Sequence, residues 1–259
     1  SAMRRKASPD LAVRLGITQA RYAEFLSWMH EEAGDLAQAI WWVDRAGEWA
    51  HASGWAPMVA FVSVRKSVIA STHAADAHRT VDFAQLALHT HGATPTVLRF
   101  AADQLAVGHA LAGDLAASRR ALELASSYYQ KAATQPQDEL SLGPRDLDHD
   151  PVGRHWATCT IFAGYGEPAI EWLAPRMTAV KGASPRAYAI HGASLAHAYA
   201  LAGHPDEVGR TLAEVLDTAA VTESATARRE LGRIRPVLQS RWPRRSDLQD
   251  IVQRLTVFA

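Results

Sequence analysis

The sequence contains one cysteine, Cys159, and no long run of apolar residues. A single thiol can form neither an internal disulfide framework nor a thiolate metal cluster, which suits a reducing cytosol. The longest apolar stretches, such as residues 58–64, are too short to cross a bilayer, and no signal peptide is visible. These absences exclude a disulfide-stapled secreted domain and a membrane-spanning protein. We therefore expect a cytoplasmic protein without a membrane partner.

The sequence also lacks an excess of charge of either sign, because 27 lysines and arginines balance 27 acidic residues. A protein that binds nucleic acid needs several cations to neutralise phosphates, so this balance argues against nucleic-acid binding by the segment alone. An apolar content of 48% is too high for a disordered chain. β-branched runs are scarce and alanine is abundant, and both features favour helix.

A turn signal recurs along the chain, and it predicts pairs of helices. Glycine tolerates the left-handed conformation that ends a helix, and aspartate caps the helix that follows. Small or apolar residues fall three to four apart on both sides of each turn. A helix pair cannot bury its apolar face alone, so such pairs stack and share a core. The turns stand at residues 34–35, 75–76 and 113–114, and at Gly164 and Gly203.

This pattern resembles the tetratricopeptide repeat. A Leu-small-x-x-Tyr motif at Leu195, Ala196 and Tyr199, the Gly-Asp turn, and an Ala-x-x-x-hydrophobic-x-x-Ala motif in the second helix carry the likeness. The turns are spaced more widely than the roughly 34 residues of that family, which predicts longer helices. The resemblance implies an all-α fold, a superhelical solenoid of about five divergent tetratricopeptide-like helix pairs with a C-terminal helical cap.

The predicted domain boundaries follow from the repeats and from composition. Residues 1–3 look like the scar of a cleaved tag, so we expect the natural chain to continue upstream. The repeat domain covers residues 4–223, and residues 134–150 interrupt it as an irregular insertion of a length that is often functional. Residues 224–259 lack the Gly-Asp turn, as expected of a capping segment. Prolines that suit the first turn of a helix stand at positions 9, 57, 95, 151 and 185.

Motifs for catalysis and for metal or nucleotide binding are incomplete. Residues 30–32 begin like a zinc-protease motif, but Gly34 stands where the second histidine is needed. Residues 146–150 begin like a calcium loop that lacks its later glycine and glutamate. Residues 164–169 mimic a dinucleotide fingerprint, but they follow a predicted helix instead of a strand. We therefore predict no enzyme activity, no cofactor and no metal site.

The predicted binding surface is the concave face, which the first helix of each pair lines. Counting back from each turn gives inward positions of mixed charge and polarity, including Glu24 and Glu31, and this mixture suits a small organic molecule or a peptide. Arginines there could bind a carboxylate bidentately. At each position a solvated or interhelical polar residue is the alternative. The predicted ligand-binding residues are Trp28, Arg65, Asp103, Gln104, Arg154, Thr158, Ser194 and His197.

The chain also resembles the repeat-containing C-terminal region of actinobacterial Xre-type helix-turn-helix transcriptional regulators. The segments that carry this likeness are residues 26–35, 39–50, 65–67, 108–114 and 199–203. In such regulators a DNA-binding domain precedes the repeats, and the repeat region is thought to sense a signal and to form a homodimer. The resemblance implies a regulatory region that binds a small-molecule or peptide signal and contacts nucleic acid only through a missing N-terminal domain.

Two other functions stay open at this point. The first is a protein–protein interaction scaffold that docks a peptide or a partner protein in the concave groove without sensing a small molecule. The second is an enzyme on a helical-repeat frame, which would need ionisable residues of perturbed pKa in a cleft. Half of the eight tryptophans fall within residues 41–55, where they either pack between repeats or line a groove or dimer face.

Overall fold

The structure, a computed structural model, describes residues 7–134, 142, 150–222 and 224–258. All regular secondary structure in these residues is helical, which confirms the predicted all-α class. Every described helix is too short or too polar to cross a membrane. The chain divides into two compact units, Ser1–Val152 and Gly153–Ala259. Most of the predicted insertion at residues 134–150 lies outside the described residues.

The described part of the first unit is a series of paired helices. Helix α1 packs against α2, α3 against α4, and α5 against α6. Each later pair also contacts the pair before it, because α3 touches α1 and α2, and α5 touches α3 and α4. A π-helical turn at Ala70–Ala74 extends α3. The helices are α1 Pro9–Glu32, α2 Leu36–Ala52, α3 Ala56–Ile69, α4 Ala77–Leu88, α5 Pro95–Leu111 and α6 Leu115–Ala133.

The three turns within these pairs have the chemistry that the sequence predicts. Asp35, Asp76 and Asp114 each cap the second helix, and each carboxylate accepts a hydrogen bond from the amide three residues on at 2.8–3.1 Å. Gly34 and Gly113 adopt φ of 83° and 81° just before the cap. These left-handed residues end the first helix, so that the chain reverses within two residues.

Small buried residues let the two helices of a pair lie close together. Ser27 Oγ of α1 donates to the Ala39 carbonyl of α2 at 2.8 Å, and Ser67 Oγ of α3 donates to the Thr80 carbonyl of α4 at 2.7 Å. The first bond joins residues 12 apart and the second joins residues 13 apart. We attribute the extra residue to the π-helical turn, which widens one turn of α3 before the chain reverses.

In the second unit, α10 is the central helix. It packs against α8, α9, α11 and α12, and α13 covers α11 and α12. The core around it is apolar, and Leu212, Leu231 and Ile234 are fully buried. The helices are α7 Pro151–Phe162, α8 Glu167–Leu173, α9 Met177–Ala183, α10 Pro185–Ala202, α11 Pro205–Thr222, α12 Ala225–Arg241 and α13 Ser246–Leu255.

Candidate functional site

Arg65, a predicted ligand-binding residue, lies at the centre of a buried ion-pair cluster in the first unit. Its Nη2 donates to Glu31 Oε2 at 2.5 Å, and its Nε lies 3.5 Å from Glu24 Oε1. Arg65 is only 8% exposed. Both carboxylates come from α1, at positions that counting from the turn also placed on the inward face. The guanidinium is therefore engaged by carboxylates of its own chain.

The π-helical turn extends this cluster toward α5. His73 Nε2 lies 3.2 Å from Glu31 Oε1, so Glu31 bridges His73 and Arg65. Ser71 Oγ donates to the Val68 carbonyl at 2.9 Å and lies 3.4 Å from Gln104 Oε1 of α5. We call Glu24, Glu31, Arg65, Ser71, His73 and Gln104 the first-helix network. It links α1, α3 and α5 on one side of the three pairs.

The pKa values of the two carboxylates of the first-helix network are shifted in opposite directions. Burial raises the pKa of Glu24, although the charges of Arg65 and Arg21 oppose the shift. Burial alone would also raise the pKa of Glu31, but the hydrogen bond from His73 and the charge and hydrogen bond of Arg65 outweigh it and lower this pKa. Glu31 is therefore the carboxylate that the network holds ionised most firmly.

Two other predicted residues of this unit lie in or near its core. Asp103 of α5 is fully buried, and Arg99 Nη1 lies 3.3 Å from its Oδ2, one turn away on the same helix. Trp28 is half-buried, and its ring centroid lies 5.8 Å from that of Phe25. Ligand binding by these residues, as by Arg65 and Gln104, stays a prediction.

The remaining predicted residues belong to the second unit. Arg154 and Thr158 are half-buried on α7, and Thr158 Oγ1 donates to the Arg154 carbonyl at 3.2 Å within that helix. Ser194 is half-buried on α10, and His197, one turn later, is buried. The eight predicted residues are thus divided between the two units, and their predicted role in binding stays untested.

His197 is a buried titratable group in the second unit. Its Nδ1 is buried without a hydrogen-bond partner in the described part of the chain. Burial, assisted by the charge of Arg233, lowers the pKa of His197 to about 4. Arg233 Nη1 also donates to Glu230 Oε1 at 2.5 Å, and burial raises the pKa of Glu230 against the charges of Arg233 and Arg229. His197 therefore stays neutral in the folded state at neutral pH.

We expect His197 to weaken the fold in acid. The unfolded chain binds a proton at His197 near pH 6.5, whereas the folded chain does so only near pH 4. The stability that neutral His197 contributes is thus present above pH 6.5 and is lost as the pH falls through 4. This difference between the unfolded-state and folded-state pKa values of His197 corresponds to about 3 kcal/mol in the free energy of unfolding. Urea unfolding at several pH values, in wild type and His197→Gln, measures it.

The control for this prediction is His89→Gln, which alters an exposed histidine of α4's C-cap. The other buried groups, including Glu24 and Glu230, titrate alike in each variant, so they cancel in the comparison. We expect the free energy of unfolding to fall less steeply with decreasing pH in His197→Gln than in wild type. In His89→Gln it should fall as steeply as in wild type. Equal slopes in wild type and His197→Gln would contradict the prediction.

A cavity of about 430 Å³ lies in the second unit, where α9, α10 and α11 meet. Its buried wall includes Leu195 and Tyr188, each 5% exposed. Three charged side chains of α11 line its more open side, at intervals of three and four residues: Glu207, Arg210 and Glu214. We call this cavity the α10–α11 pocket. An apolar wall with a few charged groups is the usual construction of a small-molecule site.

Glu214 is the best-connected polar group of the α10–α11 pocket. Its Oε2 accepts hydrogen bonds from Lys181 Nζ at 3.0 Å and from the Tyr188 hydroxyl at 2.9 Å. Lys181 Nζ also lies 5.1 Å from the centroid of the Tyr188 ring. The hydrogen bonds from Lys181 and Tyr188 lower the pKa of Glu214, while burial and then Glu214 raise the pKa of Tyr188. The Glu214 carboxylate and the Tyr188 ring therefore both contact the ammonium group of Lys181.

The sequence reasoning missed this pocket because it counted only one face of each first helix. The pocket lies between helices, and Tyr188 and Glu214 are 26 residues apart. One signal was available, since Glu207, Arg210 and Glu214 recur on one face of a predicted helix. Among the described residues, no group of three or more histidine, cysteine, aspartate or glutamate side chains could hold a metal ion.

Comparison with known proteins gives the chain no relative. No protein-family model matches it, and searches of curated proteins and of solved structures found no match.

Proposed function

We propose that this chain is a tetratricopeptide-like repeat domain of a transcription regulator, which binds a regulatory signal and pairs with a second copy of itself. The packing order of the first unit supports the repeat architecture, since α1 to α6 form consecutive pairs and each first helix contacts the pair before it. Stacks of this kind commonly serve as binding surfaces. DNA would be bound by another domain of the regulator.

The observation that carries the proposal is an apolar face at the start of the stack. Tyr22, Phe25 and Met29 follow one another at three and four residues on α1, and they are 67%, 49% and 48% exposed. Contiguous apolar side chains that the described residues leave exposed are typical of a contact surface. This face is therefore suited to contact with another protein.

The inner pairs show what such a face contacts. Ser27 and Ser67 make the same hydrogen bond, so they align α1 with α3. In this register Tyr22 and Met29 correspond to Val62 and Ile69 of α3, which are 7% and 8% exposed. A Cβ placed on Gly47 of α2 would lie 3.4 Å from Val62, so this side of α3 receives the preceding pair. On α1 the corresponding side is uncovered by any described residue.

A second copy fits this face because the apolar positions of α1 are symmetric about its middle. In an antiparallel pair of α1 helices centred near Ala20, Leu11 would lie opposite the second copy's Met29, and Leu15 opposite its Phe25. At about 100 Å² of exposed area for each large side chain, Leu11, Tyr22, Phe25 and Met29 present roughly 400 Å² per protomer, about half of the roughly 800 Å² of a standard interface, so we expect a reversible dimer.

We expect the wild-type chain to sediment as a dimer in the micromolar range and the Tyr22→Glu/Met29→Glu variant to sediment as a monomer. The variant places like charges near the two-fold axis at position 22, sets a charge against the second copy's Leu11 at position 29, and removes apolar area. Both side chains are exposed, so the monomer should keep its fold. Sedimentation equilibrium measures the association constant, and circular dichroism checks the helix content.

The matched control is Tyr165→Glu, which changes a tyrosine of the second unit that is 57% exposed. This variant should stay dimeric. A monomeric wild type, or a Tyr165→Glu variant that dissociates as readily as the α1 variant, would overturn the pairing. The scaffold alternative predicts instead that the wild type is monomeric and docks a peptide or a partner protein in the concave groove.

A further inference from the structure

We propose that the α10–α11 pocket binds an elongated organic dication, such as a linear diamine, whose ammonium groups take the places that Lys181 and Arg210 occupy in the free protein. This inference names the site and the chemical class of the signal in the proposed function, and it rests on that function for its biological role only.

The first ammonium position is defined by Lys181. Its Nζ contacts a carboxylate oxygen at 3.0 Å and lies 5.1 Å above an aromatic ring, which is how proteins commonly hold an alkylammonium ion. The Lys181 side chain is 59% exposed, so its ion pair with Glu214 and its contact with the Tyr188 ring both lie near solvent. Exposed pairs of this kind contribute little, and a ligand cation can replace Lys181 at small cost.

The second ammonium position lies at Glu207. Its Oε1 accepts a hydrogen bond from Arg210 Nη2 at 2.9 Å, and the Arg210 side chain is 76% exposed. Arg210 is therefore as replaceable as Lys181. Glu207 and Glu214 are seven residues apart on α11, which places their backbones about 10 Å apart along the helix axis. A chain of about seven methylenes between two ammonium groups spans that distance.

The apolar lining of the α10–α11 pocket suits the methylene chain. Met177 of α9 and Leu195 of α10 line the pocket, and Leu195 is nearly buried. Burying methylenes contributes about 0.8 kcal/mol for each group, so the apolar wall favours a long diamine over a short one. The volume of about 430 Å³ lies in the usual range of small-molecule sites.

Binding would release Lys181 from Glu214, and Lys181 belongs to α9, a helix of seven residues that packs on α10. A ligand that replaces this contact favours conformations in which the Lys181 side chain has left Glu214 while Met177 stays in the pocket wall. It shifts that equilibrium only by the difference between its affinities for the two arrangements. Release of the Lys181 side chain is the conformational response that the pocket can produce.

The test is isothermal titration calorimetry of the full chain with 1,7-diaminoheptane, heptylamine and 1,7-heptanediol. We expect the diamine to bind at least tenfold more tightly than the monoamine, and the diol to bind most weakly. Glu214→Gln should weaken diamine binding at least tenfold. Lys181→Met should strengthen it several-fold, because the internal competitor is gone. Asp250→Asn, a change at an exposed aspartate of α13, should leave it unchanged.

Lys181→Met gives the sharpest result, because a merely structural lysine would weaken binding when removed. Equal affinities for diamine and diol, or a Lys181→Met variant that binds no better than wild type, would overturn the inference. A wild-type chain that dimerises through α1 but binds no diamine would overturn the pocket and leave the proposed function standing. Diamine binding by a chain that stays monomeric supports the pocket and counts against the proposed pairing.

Discussion

The Arg65→Met variant is expected to be about 3–5 kcal/mol less stable than the wild type at neutral pH. The change leaves Glu24 and Glu31 buried on α1 without the guanidinium that lies 2.5 Å from one and 3.5 Å from the other. Glu31 keeps its contact with His73 but loses the Arg65 cation, and a buried carboxylate that loses its cation must stay desolvated or become protonated, which costs free energy. Urea unfolding followed by tryptophan fluorescence measures the loss, because residues 41–55 place four tryptophans in the same unit.

Two further variants separate the charge of Arg65 from its size. Arg65→Lys keeps a cation but loses the planar fork, so we expect an intermediate loss. The triple variant Glu24→Leu/Arg65→Met/Glu31→Met removes all three charges and should recover most of the stability, since replacing a complete buried ion network is often neutral. A loss below about 1 kcal/mol in Arg65→Met would show that the ion pairs are solvated and carry little weight.

The helix starts could be predicted because proline acts locally. Proline lacks an amide hydrogen and has a fixed φ, so it fits the first turn of a helix wherever it stands. Helices α1, α5 and α10 begin at Pro9, Pro95 and Pro185, and α3 begins one residue before Pro57. The Gly-Asp turns could be predicted for the same reason, since a positive φ and a side-chain cap depend on two adjacent residues.

The candidate sites could be predicted only in part. Helical periodicity placed Glu24, Glu31 and Arg65 on inward faces, and the structure brings them together. Periodicity did not show that these side chains pair with one another, because that depends on how closely α1 and α3 approach. Nor did it show the π-helical turn that carries His73, since an inserted residue of this kind depends on the tertiary packing around it.

The glycines that imitate a nucleotide-binding fingerprint have a packing role, and this gives the second large prediction. Gly164 ends α7 with φ of 84°, and Gly166 precedes α8 where that helix touches α10. A Cβ on Gly166 would lie 2.0 Å from the Ala198 carbonyl oxygen and 2.8 Å from the Ala202 amide nitrogen. We expect Gly166→Ala to cost about 3 kcal/mol, because rigid backbone atoms must move apart.

The control for Gly166→Ala is Gly182→Ala in α9, where an added Cβ would meet no atom within 4 Å. This change should be neutral or should stabilise the protein by up to about 1 kcal/mol, because alanine favours helix over glycine. Hydrogen exchange at the α8 and α10 amides in the full chain measures the local effect. If α8 and α10 can separate without loss of packing, their amides in Gly166→Ala will exchange at the wild-type rate. The close approach of the two helices would then contribute nothing to stability. A loss of hydrogen-exchange protection confined to the amides of α8 and α10 would instead show that Gly166 is required because two backbones meet there.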